Sequence, residues 1–253
     1  MRLAAGLTRL APALLLGIGL ALLLALLESL RIPRVTRLRA RWAQRVLAGI
    51  ARALPYRYRV IGALPTQPML WVSNHVSWAD VVVLGQQAPL TFVSKADVRR
   101  WPLLGWLATR GGTLFICRGG GESQHLRATM AQHLRQGGSM AVFPEGTTTD
   151  GRGTATFHGR LLGAAIEAGT RVQPVALRYL RDDAIDTSAA FIGDDDLWCH
   201  LKRLLTRPAG VVEIHLLAPL HSQGHDRSSL ARAARQAIDQ VLRPSPAAVS
   251  EAA

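Results

Sequence analysis

Apolar runs alternate with helix-like stretches across residues 69–242, which predicts an α/β domain: a mixed, largely parallel sheet flanked by helices. Two observations add an N-terminal membrane-anchoring helical region. Residues 10–27 carry no charge and are dense in Leu and Ala. Residues 31–59 then hold nine arginines and no acidic residue. A chain of 253 residues supports one sizeable core and at most two small domains.

The uncharged run is just long enough to cross a bilayer, for which about 17–25 residues are needed. A signal peptide would end in a small-residue cleavage site. This run meets Glu28, Arg31, Pro33 and Arg34 instead, so a retained membrane segment is expected. Pro12, Gly17 and Gly19 weaken a straight helix, which leaves a spanning and an in-leaflet placement both open. Beyond it, Val35, Leu38, Trp42, Val46, Ile50 and Leu54 recur every three or four positions. That spacing predicts a basic amphipathic helix for the membrane surface. Packed on a core, the same helix would leave its basic face in solvent. The positive-inside rule places the following domain on the cytoplasmic side of the cell inner membrane.

The net charge is +13, supplied almost wholly by arginine. Such a chain seeks an anionic partner. Its arginines concentrate beside the apolar run, so membrane lipid explains them better than nucleic acid, which is not expected as a partner. Cys117 and Cys199 form neither a disulfide framework nor a zinc pattern, and no metal site is expected.

Three segments follow: the anchor region 1–55, a main domain 56–243 and a disordered tail 244–253. In the main domain, strands are expected at 69–72, 91–94, 113–117, 140–143, 172–177 and 211–217. Helices are expected at 77–87, 122–136, 160–168, 197–205 and 228–242. The polar, acidic stretch 181–196 reads as a loop excursion.

Four segments bear on chemistry. Asn74-His75-Val76-Ser77-Trp78-Ala79-Asp80 follows the first expected strand, at the sheet edge where α/β proteins bind ligands. With His75 in the turn and Asp80 in the first helical turn, the carboxylate can orient the imidazole as a general base. Ser77-x-x-Asp80 is equally a capping-box pattern, and taken alone the motif fits a capped helix as well. Phe143-Pro144-Glu145-Gly146-Thr147-Thr148-Thr149-Asp150-Gly151 leaves the strand 140–143 at the same edge, where its backbone N–H groups and Thr hydroxyls can hold an anion or a polar headgroup; a turn with a helix cap fits it too. Arg118 ends the strand 113–117 and can present its fork to a phosphate, or simply face solvent. The strand 172–177 carries Pro174, which predicts an edge or bulged strand.

In order and spacing, these segments resemble the glycerolipid acyltransferase family (1-acylglycerol-3-phosphate O-acyltransferase-like) over residues 70–177. Lys95, Pro102 with Gly105-Trp106, and Phe157-x-Gly159 agree with it. The resemblance implies transfer of a fatty acyl group from acyl-CoA or acyl-carrier protein to the free hydroxyl of a lysolipid, with no cofactor. It implies His75 and Asp80 as catalytic residues. It further implies Asn74, Ser77, Lys95, Arg118, Phe143, Pro144, Glu145, Gly146 and Thr147 as substrate-binding. Many members that acylate 1-acylglycerol-3-phosphate carry Arg where this chain has Thr148, and Lys where it has His158. These departures resemble the lyso-ornithine lipid acyltransferase branch, so the two acceptors compete nearly equally.

Two other classes fit less well. A non-enzymatic basic membrane-binding protein explains the charge but not the gathering of His75, Asp80, Arg118 and Glu145 at strand ends. A lipid hydrolase calls for a nucleophile motif such as G-x-S-x-G, and Gly137-Gly138-Ser139-Met140-Ala141 has Ala in its last place.

Overall fold

The computed structural model describes residues 1–30, 35–116 and 122–243. The expected tail at 244–253, and Cys117 and Arg118, lie outside the described residues.

An eight-stranded sheet runs in the order β1-β8-β6-β2-β5-β3-β4, with β7 pairing β6. The strands are β1 (Tyr56–Ile61), β2 (Leu70–Ser73), β3 (Leu90–Lys95), β4 (Leu114–Ile116), β5 (Ser139–Val142), β6 (Val172–Arg181), β7 (Ala184–Ile185) and β8 (Gly210–Leu216). The ladder is parallel except where β6 meets β7 and β8, the mixed, largely parallel sheet expected. Side chains alternate between its faces with period two. Trp71, Ala141, Val175 and Leu177 enter one core cluster. Leu70, Val72, Met140, Val142 and Ala176 enter the other. Helices α5 (Glu122–Arg135), α6 (Gly163–Ala168) and α8 (Arg227–Leu242) supply the second cluster; α2 (Val35–Ala53), α3 (Ala79–Gly85) and α7 (Leu197–Thr206) supply the first.

Pro174 does not mark an edge, contrary to the sequence expectation. β6 is central, between β8 and β2. Proline lacks the N–H that would bond Leu217 across the β8 side. The buried amide of Gln173 donates to the Leu217 carbonyl at 2.6 Å instead, while the Leu217 N–H donates to the Pro174 carbonyl at 3.1 Å. A side chain has replaced the missing backbone donor, so the ladder continues.

The N-terminal helix α1 (Arg2–Ser29) takes Pro12 into its interior. Its buried positions are Gly6, Ala13, Gly17, Ala21 and Leu24. All but Leu24 are small, which lets neighbours approach closely: a Cβ on Gly6 would lie 2.8 Å from Leu205 of α7, and one on Gly49 of α2 would lie 2.9 Å from Ala13. At the far end Glu28 accepts from Arg39 and from Arg110 of α4 (Leu104–Arg110). On the opposite side Leu15, Leu16, Leu22, Leu23 and Leu26 stand exposed.

The C-terminal part of the α2 stripe packs inward, as a helix on a core would. Val46 meets α1, and Ile50 and Leu54 join the first core cluster. Leu38, nearer the start of α2, stays exposed, as do the leucines of α1. β1 escapes the sequence reading because Arg57 and Arg59 hide the alternation of Tyr56 and Tyr58.

Candidate active site

The chain leaves β2 at Ser73 and turns through residues 74–78 into α3. Asn74 is buried and extends the sheet past its last backbone pair. Its amide nitrogen donates to the Leu177 carbonyl at 3.0 Å, and its oxygen accepts from the Leu177 N–H at 2.8 Å. This fixes where the turn begins.

Asp80 then folds its carboxylate back into that turn. Oδ2 accepts from the Val76 N–H at 2.7 Å, the Ser77 N–H at 2.9 Å and His75 Nδ1 at 2.7 Å. Oδ1 accepts from the Tyr179 hydroxyl at 2.6 Å. Ser77 Oγ meanwhile accepts from the Ala79 N–H at 3.2 Å. The N-cap of α3, Trp78, has no side-chain cap; the Asp80 carboxylate instead ties down the turn before the helix while it holds the imidazole. Asp80 has no solvent exposure, and these donors compensate the burial of its charge. Facing a carboxylate, Nδ1 carries the proton, which leaves the lone pair of a neutral ring on Nε2. The His75 side chain keeps 20% exposure, enough for a substrate to reach it.

A second loop clamps the first. Phe143, leaving β5, stacks its ring on His75 at 4.0 Å between centroids and 13° between planes. Glu145 Oε1 accepts from the His75 N–H at 2.8 Å, and Oε2 accepts from the Ala155 N–H at 2.9 Å. Burial pushes the Glu145 carboxyl up from its ordinary value, against these hydrogen bonds. The His75 carbonyl accepts from the Thr149 N–H at 2.8 Å and the Thr149 hydroxyl at 3.2 Å. The backbone of His75 is thus held on both sides by residues 145–149.

The structure separates the expected substrate-binding residues into two sets. Asn74, Ser77 and Glu145 are at most 4% exposed, and their polar atoms are bonded to the protein, where they position the turn. Pro144 is buried, and its carbonyl accepts from the His158 N–H at 2.9 Å. Gly146, at φ +68°, and Thr147 are exposed at the loop tip, and Lys95 is exposed at the end of β3. These three and the face of Phe143 remain open to a ligand. Among the described residues no three His, Cys, Asp or Glu side chains gather as metal ligands.

Thr149 lies within the segment singled out, and its N–H and hydroxyl are turned to the His75 carbonyl. One further residue escapes the sequence reading. Tyr179 sits on β6 in phase with Val175 and Leu177, facing the same core cluster. A buried tyrosine hydroxyl needs a partner, and that is the one signal the sequence offered. Burial, and then the Asp80 charge, push its phenol well above the usual range, so it remains a donor.

Residues 57–178 match the acyltransferase family. Over 234 residues the chain is 53% identical to the lyso-ornithine lipid O-acyltransferase of Pseudomonas aeruginosa, spanning 92% of this chain and 91% of that one. It is 36% identical to the Brucella abortus protein of the same name, over 76% and 78% of the two chains. Identity to the 1-acyl-sn-glycerol-3-phosphate acyltransferase of Neisseria meningitidis is 28%, over 77% and 78%. The crystal structure of the 1-acyl-sn-glycerophosphate acyltransferase from Thermotoga maritima superposes with a TM-score of 0.58 at 17% identity, over 94% and 97% of the chains, and shares the fold.

Proposed function

The chain belongs to the acyltransferase family, and from that premise we propose that it acylates the free hydroxyl of a lyso-ornithine lipid with His75 as general base. Membership makes it an enzyme of the lysolipid acyltransferases. The observation that carries the mechanism is the His75–Asp80 pair at 2.7 Å, which leaves the Nε2 lone pair without a partner among the described residues.

In the proposed reaction the acceptor hydroxyl gives its proton to His75 Nε2 while its oxygen bonds to the thioester carbonyl carbon. The carbon–sulfur bond then breaks, and the departing thiolate takes that proton. Asp80 orients the ring and stabilises the imidazolium between these steps. Acyl-CoA and acyl-carrier protein both supply such a thioester.

The choice of acceptor rests on identity and on Thr148. Two lyso-ornithine lipid acyltransferases are 53% and 36% identical, against 28% for the Neisseria meningitidis relative. Thr148 supplies no cation for a phosphate; its hydroxyl donates to the Phe191 carbonyl.

The enzyme works at a bilayer, on the cytoplasmic side of the inner membrane in this reading. α1 is 28 residues long, with a mean hydropathy of 2.6 over its most apolar window. At 1.5 Å per residue it extends about 42 Å. It is fastened to the domain near both ends, at Gly6 and Glu28, which favours a helix lying along one leaflet with its leucines in lipid. The test is an assay of membranes with labelled acyl-CoA and acyl-carrier protein against both acceptors. Lyso-ornithine lipid should exceed 1-acylglycerol-3-phosphate at least tenfold in kcat/KM, a difference of about 1.4 kcal/mol. The reverse preference would overturn the assignment of the acceptor.

A further inference from the structure

His200 of α7 is fully buried and takes no part in the chemistry above. Its Nδ1 lies 2.8 Å from the indole Nε1 of Trp78, and its Nε2 lies 3.1 Å from the Ala189 carbonyl oxygen. An indole nitrogen only donates and a carbonyl only accepts. His200 is therefore neutral, with its proton on Nε2 and its lone pair on Nδ1. Burial, and then the Arg203 charge, lower its affinity for a second proton.

Both partners lead to the turn that carries His75. Trp78 lies within that turn, two residues before Asp80. Ala189 begins a strap over the turn. In the strap the Phe191 N–H donates to the Val76 carbonyl at 2.9 Å, and the Phe191 carbonyl accepts from Thr148 of the second loop. The rings of Trp78 and Phe191 meet His200 edge-on, with centroids 6.0 Å and 5.2 Å away. α7 in turn carries Leu205, which packs on Gly6 of α1.

We propose that His200 is a positioning residue for acyl transfer: its Nδ1 lone pair holds the Trp78 indole, and through it the turn that aims Nε2 of His75. This rests on the reading of His75 as the base. It assigns a role to a residue 125 positions away in sequence, on a helix that also bears on the membrane segment.

Two substitutions separate the two bonds of the ring. His200→Asn places an amide oxygen where Nδ1 stands and can still accept from Trp78. His200→Gln places an amide nitrogen where Nε2 stands and can donate to Ala189, but leaves Trp78 without an acceptor. Trp78→Phe removes the donor directly. The full-length enzyme in membranes is assayed for kcat, for KM of acceptor and donor, and for melting temperature.

His200→Asn should keep kcat within about threefold of wild type. His200→Gln and Trp78→Phe should each lose about tenfold or more in kcat, the size of one lost hydrogen bond expressed in the transition state, with KM nearly unchanged. Combining the two should cost no more than the worse one alone, since both remove the same contact. Normal kcat in Trp78→Phe, or equal losses in the Asn and Gln variants, would overturn the proposal, as would kcat losses that merely follow the melting temperature. His75→Ala, run alongside, separates the two ideas. If it is inactive while Trp78→Phe is normal, only the role of His200 fails. If His75→Ala is active, the base assignment itself fails.

Discussion

Tyr179→Phe removes one oxygen from behind the catalytic pair and nothing from the surface. The hydroxyl donates to Asp80 Oδ1 at 2.6 Å, and the residue is 3% exposed. Hydrogen bonds to charged groups contribute about 1.5–3 kcal/mol, and the variant leaves one oxygen of a buried carboxylate without that donor. Oδ2 keeps the N–H groups of Val76, Ser77 and His75, so the carboxylate is loosened rather than released. If about 1.4 kcal/mol of the lost energy is expressed in the transition state, kcat falls about tenfold. KM should not change, because Tyr179 reaches neither substrate. The melting temperature should fall by about 2–4 °C for each kcal/mol lost. Tyr56→Phe is the control. Tyr56 packs edge-on to Tyr179 at 5.4 Å, but its hydroxyl donates to Asp186 at 2.8 Å. That variant should lose stability and keep kcat. Wild-type kcat in Tyr179→Phe, or equal loss of kcat in both variants, would refute the reasoning.

Other outcomes follow from the same contacts. Because burial raises the Glu145 carboxyl above its ordinary 4.5, the fold holds that proton to higher pH than the unfolded chain does. Its contribution to stability is therefore greatest in acid and is lost as pH rises from 4.5 through the raised folded value. Melting curves of wild type and Glu145→Gln, which cannot titrate there, should show wild type losing ground to the variant as pH rises. Gly159→Ala would put a Cβ 2.2 Å from the Arg227 carbonyl oxygen at the start of α8. Overpacking against backbone should cost about 1–3 kcal/mol or more, read by denaturant titration. Leu15 and Leu22 are 68% and 57% exposed on α1. Replacing both by Ser should weaken binding to lipid vesicles roughly 100-fold in a flotation assay, with melting unchanged.

The sheet was legible because its strands are short apolar runs that serve both core clusters, and β2 and β5 fall within a residue of their expected bounds. β1 was not legible, since a strand that alternates Tyr with Arg reads as more of the arginine run. Pro174 misled because the donor that rescues its position is the side chain of Gln173, which no backbone rule anticipates. The candidate pair was legible in type and spacing, as Asp80 reaches His75 across a turn. Its supports were not. Asn74 and Glu145 look in sequence like groups meant for a ligand, yet their polar atoms meet backbone. The excursion 181–196 reads as a polar loop, yet Asp186 and Phe191 tie it to the strands and to the His75 turn. Tyr179 lies 99 residues from the carboxylate it meets, a pairing that only the sheet order creates.

The central claim is that Nε2 of His75 removes the acceptor's proton. It is tested most directly by the initial rate of acyl transfer to lyso-ornithine lipid in membranes bearing His75→Ala, at matched protein levels and melting temperature. General bases contribute about 10²–10⁴-fold, so the rate should fall by about a thousandfold, with donor and acceptor binding retained. A rate near that of wild type would contradict the account.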